Sequence, residues 1–483
     1  MSYTVAQNTT FLTSASILQK VVSFLYFILV ARLIGVENTG QYFFAITFTT
    51  IFVVVADFGF AAVLIREASR YPENTEKYLN TTLVTKILFG LGAYALVVFF
   101  VNVFNYPALT KDLIYLSGIT MFFDNLTNTF SGTLRSRKNL VYESIGIVGA
   151  QLVTMGIGTV ALLNHWPLIW LIIAYTIPSA LYCLYLAICV RKLYAIKYNF
   201  IWDKDIFKIF FITALPFAIA AIIGRLYSYS DSLLMSKMLT IKELGWWAIP
   251  YKIAFAFQFV PLALSASVYP VFSGLFVKDK TQIGPLFEKS WRYLFTIIFP
   301  LSVGLIVLAD PVITLIYGPS YAPSINPLRI LMGSLIFTFL GLITGALLNA
   351  TNRQKTQTWL VGVALVVSVV LNLILLPILR LNGAAISVLV SNTVLVVGGY
   401  LFARRELNIK FRNILKYINQ TLWPAVVMGG VVYYLSLKIN FIWTIPIGAV
   451  VYFGLLFLTG GINIGQIKNI INKIFKNKTQ ISV

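Results

Sequence analysis

The chain has 483 residues, of which 59% are hydrophobic and only 11% charged, with a mean hydropathy of +0.84. A soluble domain carries about 25% charged residues, so composition excludes a water-solvated globule and calls for a bilayer. The formal net charge of +21 does not point to nucleic acid, because the basic residues fall in short gaps between apolar runs, where lipid headgroups and topology account for them.

The N-terminus, MSYTVAQNTTFL, has no basic leader and no small-residue cleavage site, so the first apolar run is read as part of the mature chain. A helix needs about 20 apolar residues to cross the hydrocarbon core. On that basis spans are predicted near 9–33, 42–65, 82–104, 113–134, 141–163, 168–190, 208–236, 246–276, 291–317, 328–350, 357–378, 383–402, 417–437 and 441–460. The fold class is therefore all-α integral membrane with about 14 helices. With the N-terminus in the cytoplasm, the cytoplasmic gaps and tail hold 26 Lys and Arg residues and the outer gaps hold 7. The positive-inside rule predicts this bias, which places both termini inside an inner (plasma) membrane.

Residues 20–42 align without gaps onto 225–247, so that Lys20 falls on Arg225, Ser23 on Ser228, Arg32 on Lys237 and Gly40 on Gly245. An offset of six helices gives a parallel repeat about an axis along the membrane normal. The expected organisation is an N-terminal lobe over 1–190, a cytoplasmic interfacial linker over 191–207 and a C-terminal lobe over 208–402. Two further helices follow over 403–460, and a basic cytoplasmic tail over 461–483.

The basic residues singled out inside predicted spans are Lys20, Lys86, Arg225 and Lys252. The acids singled out there are Asp57, Asp124 and Asp231. A charge at the bilayer centre costs roughly 2.5–3.5 kcal/mol on insertion scales, so it faces a wet cavity or a partner. Thr9, Thr13, Ser16, Lys20 and Ser23 form one polar stripe at helical spacing, and Arg225 opens a polar run through Ser228 to Ser232. Two repeat-related cations facing one cavity repel unless an anion comes between them, which points to a phosphate-bearing substrate. The alternative reading pairs Arg225 with Asp231 or Asp57 as a structural ion pair. Lys86 lies near the cytoplasmic end of its span and is expected to snorkel, and Lys252 lies near the outer end. The three acids are candidates for binding a coupling proton or sodium ion. Cys183 and Cys189 fit ordinary packing, and no metal spacing, cofactor motif or convergent acid/base set occurs, so an enzyme is not expected.

The run ILVARLIGVENTGQYFFAITF, followed by ADFGFAAVLIREASR, resembles the start of polysaccharide flippases of the multidrug/oligosaccharidyl-lipid/polysaccharide exporter superfamily. In the second half, SKMLTIKELGWWAIPYKI with Pro261 and Tyr269–Pro270 resembles the matching segment. The resemblance implies a V-shaped pair of lobes around a cationic cavity. It also implies translocation of an undecaprenyl-diphosphate-linked oligosaccharide from the cytoplasmic to the outer leaflet, for O-antigen or exopolysaccharide synthesis. The diphosphate would meet Lys20 and Arg225, with Lys86, Lys252, Ser23 and Ser228 as further substrate-binding candidates. Implied partners are the lipid-linked substrate, membrane lipids, and polysaccharide polymerase and chain-length proteins; no cofactor is implied. A lipid II flippase and a multidrug/cation antiporter of the same superfamily are the alternatives.

Overall fold

The computed structural model describes residues 5–407 and 409–461, almost all of them helical, with no strand among them. The expected tail over 461–483 lies outside the described residues but for its first. The described residues form two compact units, one of Met1–Lys252 with Ser368–Arg380, the other of Ile253–Val367 with Leu381–Val483.

In the first unit, α1 (Val5–Asp57) is 53 residues long, about twice what a bilayer needs. It is broken at Gly35, whose φ of 77° and ψ of 175° belong to a region open essentially to glycine. The break lies between the first two predicted spans. The second of them, predicted to run to residue 65, stops instead at Asp57. Phe58 (φ 45°) and Gly59 (φ 79°) break the helix, and α2 (Phe60–Arg70) follows as a short helix that buries Phe60, Val63, Leu64 and Ala68 along one face. Spanning helices α3 (Thr75–Val103), α4 (Ala108–Ser136), α5 (Val141–Leu163) and α6 (Ile169–Tyr194) come next.

The connection after α6 is held to α3 by Asn80. Its Nδ2 donates to the Lys197 carbonyl at 2.9 Å, and its Oδ1 accepts from the Asn199 and Phe200 amides at 3.0 and 3.1 Å. Asp203 then caps α7 (Lys204–Met238), accepting from the Asp205 and Ile206 amides and so satisfying two of the helix's free N–H groups. Leu239 and Thr240 separate α7 from α8 (Ile241–Ala256), and Thr240 with Glu243 forms a capping box there.

The second unit contains α9 (Phe259–Lys278), α10 (Ile283–Val307), α11 (Ala309–Ile316), α12 (Ile325–Ala350), α14 (Leu381–Glu406), α15 (Phe411–Ser436) and α16 (Phe441–Leu458); α13 (Gln354–Leu379) is divided between the units. The predicted span 291–317 is interrupted at Leu308, leaving α11 as a separate short helix.

Eleven helical segments among the described residues are long and apolar enough to cross a membrane. Dividing the first at Gly35 and adding α4 and α15, which have spanning length but a more polar sequence, brings the helices of spanning length among the described residues to fourteen. Large apolar side chains such as Leu91, Phe99, Val366, Val450 and Leu458 are exposed, as a lipid-solvated surface requires. The chain is a multi-pass membrane protein.

The repeat is visible in the local geometry. The break at Gly35 aligns with Thr240, between α7 and α8, so both halves turn at the same register. A Cβ built on Gly40 would sit 2.1 Å from the carbonyl oxygen of Ile241, and one built on Gly245 would sit 2.0 Å from that of Val36. The offset that pairs Gly40 with Gly245 also pairs Val36 with Ile241. The crossing of α1 and α8 is thus reciprocal, each glycine packed on the carbonyl one turn before the other.

Candidate substrate-translocation site

The intramembrane charges fall into two groups, both in the first unit. The first is closed. Lys86 on α3 is fully buried, and its Nζ lies 2.5 Å from Asp57 Oδ1 at the end of α1. The same ammonium donates to the Asn125 carbonyl at 3.2 Å, while Asn125 Nδ2 donates to the Lys86 carbonyl at 3.2 Å. The other Asp57 oxygen accepts from the Gly59 amide at 3.2 Å. Lys86 does not snorkel; α4 covers it and the turn at Phe58–Gly59 brings it a counter-ion. Removing one member of such a pair strands a charge, at a cost of about 3–5 kcal/mol. Asp57→Ala, which orphans the fully buried ammonium, is therefore expected to lower thermal stability more than Lys86→Met. The double variant should recover part of the loss, and additive losses in a double-mutant cycle would contradict the coupling.

The second group is open. Lys20 on α1 and Arg225 on α7 are both half-buried, and among the described residues neither makes an ion pair or a hydrogen bond. Of the two alternatives for Arg225, neither forms: Asp57 pairs with Lys86, and Asp231, buried on α7, accepts from the Ser232 amide at 2.7 Å. The α7 and α8 residues around Arg225 are aromatic, with the Tyr229 and Tyr251 rings 6.3 Å apart and Tyr251 edge-on to Phe43 of α1 at 5.5 Å. Lys252 stands over the Phe27 ring at 5.2 Å, within cation–π range. Ser23 is half-buried, and Ser228 is exposed with its hydroxyl donating to the Gly224 carbonyl at 2.9 Å. Asp124 on α4 is exposed and accepts a short hydrogen bond from Ser179 of α6, beside a Thr120–Thr176 hydroxyl pair at 2.7 Å.

Sequence reasoning did not single out Asn125, Ser179, Phe27 or Tyr251. The aromatic ones carry no polar signal in an apolar run, and the pairing of Lys86 with Asp57 joins helices whose packing the sequence does not state. No cluster of His, Cys, Asp or Glu suited to a metal ion occurs among the described residues.

A unit of this kind has passes broken at the same register in two repeats, with two related cations that have no internal counter-ion. That arrangement narrows the comparison to known membrane proteins. Residues 5–276 match the family model described as polysaccharide biosynthesis protein. The chain belongs to that family. Staphylococcus aureus capsular polysaccharide biosynthesis protein CapF is 23% identical over 418 residues, 83% of this chain and 99% of that one. The probable low-salt glycan biosynthesis flippase Agl15 of Haloferax volcanii is 26% identical over 246 residues, about half of each chain. Among solved structures, the lipid II flippase MurJ in an inward closed conformation superposes with a TM-score of 0.74 at 18% identity, covering 93% of this chain and 97% of that one. An inward-facing multidrug resistance transporter of the MATE family gives 0.66 at 16% identity, covering 80% and 94%. At those identities the structural likeness establishes the shared exporter fold. This member of the polysaccharide biosynthesis family is thus built on the framework shared by the lipid II flippase and the multidrug transporters.

Proposed function

We propose that the chain moves an undecaprenyl-diphosphate-linked oligosaccharide from the cytoplasmic to the outer leaflet of the inner membrane by alternating access, with both termini in the cytoplasm. The observation that carries this reading is the pair Lys20 and Arg225: repeat-related, intramembrane, and without a carboxylate partner among the described residues. An unpaired cation at that depth is expensive unless an anion arrives to meet it. Arg225 supplies a planar donor fork for phosphate oxygens and Lys20 a compact charge. In this reading Ser23, Ser228 and Lys252 flank the headgroup. The exposed Asp124 and the buried Asp231 are the sites at which a coupling ion would act. No covalent step is required. The family membership and the flippase named among the relatives support the class of activity, and the glycan itself is set by the proposal's test.

Proteoliposomes containing the purified chain and a fluorescent prenyl-diphosphate oligosaccharide should show quencher-accessible probe appearing on the opposite leaflet, above protein-free vesicles. A potential negative on the cytoplasmic side favours outward movement of each negative charge by about 2.3 kcal/mol per 100 mV. Imposing 100 mV should therefore accelerate outward flipping. Equal rates with and without the potential would assign the driving force to ion exchange. No flipping, with dye efflux instead, would assign the chain to the antiporter reading, and selective movement of lipid II to the peptidoglycan reading.

A further inference from the structure

The second unit holds a cavity of about 500 Å³, lined by Lys289 and Arg292 of α10, Lys410 at the N-terminus of α15, and the rings of Tyr293 and Tyr417. One acid, Glu288, shares it, but that side chain is buried and both its oxygens are taken: Oε1 by the Lys410 amide at 2.6 Å and Oε2 by Asn413 Nδ2 at 2.7 Å. It forms no ion pair with any of the three cations among the described residues, so three positive charges face one negative charge in the cavity. Arg292 is fixed in place: it lies over the Tyr417 ring at 5.1 Å, and Nη2 donates to the Gly461 carbonyl at 2.7 Å. Its Nε and Nη1 have no partner among the described residues.

We infer that this cavity binds the phosphate of an anionic lipid headgroup. Three cations converge on a space of headgroup size, and the Arg292 Nε–H and Nη1–H groups remain to donate to phosphate oxygens. The location fits a lipid. Helices α10 and α15 have 25 and 26 residues, long enough to cross the bilayer, and the cavity lies at their N-termini, beside the residues that follow α16. That is headgroup depth, and tyrosine is favoured there. One turn deeper, Ile297 on α10 is exposed, as is Leu458 at the end of α16, leaving an apolar surface for acyl chains. In the topology proposed above this is the cytoplasmic face; the binding itself does not depend on the flipping activity.

The test uses the full-length purified protein in nanodiscs of phosphatidylcholine alone, or with phosphatidylglycerol, followed by native mass spectrometry of retained lipid. The wild type should retain phosphatidylglycerol over phosphatidylcholine. Lys289→Gln/Lys410→Gln should lose roughly tenfold or more of that preference, since each cation near a headgroup contributes about one charge's worth of attraction. Equal melting of the variant and wild type in pure phosphatidylcholine shows that the variant is folded; if it is not, Lys410→Gln alone serves. Unchanged retention in the variant overturns the proposal. So does a gain in melting temperature from inorganic phosphate equal to that from the lipid, which would make this a soluble-anion site. A Lys20→Ala/Arg225→Ala variant should bind phosphatidylglycerol like the wild type, separating a failure here from a failure of the flippase reading.

Discussion

Replacing both Lys20 and Arg225 with alanine should abolish transport of a prenyl-diphosphate oligosaccharide while leaving the protein inserted and folded. Each side chain lacks an internal partner among the described residues, so truncation strands no counter-charge and removes an intramembrane cation that was expensive to hold. Stability should stay level or rise, in contrast to the Lys86–Asp57 pair, where truncation leaves a buried charge. Losing a charge-assisted phosphate contact costs about 1.5–3 kcal/mol, or roughly 10- to 100-fold per residue. The single variants should therefore be strongly impaired and the double variant inactive. Arg225→Lys should recover part of the rate, since charge is kept while the bidentate fork is lost. Flipping measured in proteoliposomes, with melting temperature as the folding control, decides the matter. Wild-type rates in the double variant would remove the diphosphate site.

The architecture was legible because a bilayer imposes a coarse rule. Apolar runs of about 20 residues, divided by basic gaps, mark the passes, and the structure follows them from α3 to α7 and from α12 to α16. At the second pass the departure has a local backbone cause. Gly59, in the left-handed region, lets the helix break inside an apolar run, so α1 ends at Asp57 rather than at residue 65, and α2 buries Phe60 and Leu64. The register of the repeat was legible from Gly40 over Gly245, since glycine has a meaning in a helix interior that leucine does not. The partners of the charges were not. Whether Asp57 met Arg225 or Lys86 depends on which helix packs beside the end of α1, and every apolar face offers the same hydropathy signal. The cavity at Lys289, Arg292 and Lys410 was read only as two basic gaps, because nothing in the sequence states that α10 and α15 begin side by side.

Gly40→Leu should be among the most damaging single substitutions in the first unit. A Cβ at this position would overlap the Ile241 carbonyl oxygen at 2.1 Å and approach the Gly245 amide nitrogen at 2.9 Å. Both neighbours are backbone, so no rotamer change relieves the clash, and α1 and α8 must separate. Close glycine contacts drive helix association in membranes through packing rather than through burial from water, so separation forfeits the contact as well as adding strain. Overpacking costs typically 1–3 kcal/mol where side chains can yield, and more is expected here. The reciprocal geometry makes a sharper statement: Gly245→Leu meets the Val36 carbonyl oxygen at 2.0 Å and should be equally harmful. Because both substitutions break one interface, the double variant should cost far less than the sum of the two. Gly35→Ala is the control: a Cβ there has nothing within 4 Å, so the loss is confined to backbone strain at φ 77°, ψ 175°, about 1–3 kcal/mol. Melting temperatures of the purified variants in one detergent give the ranking. Gly40→Leu melting like the wild type would mean that the two repeats do not meet at these glycines.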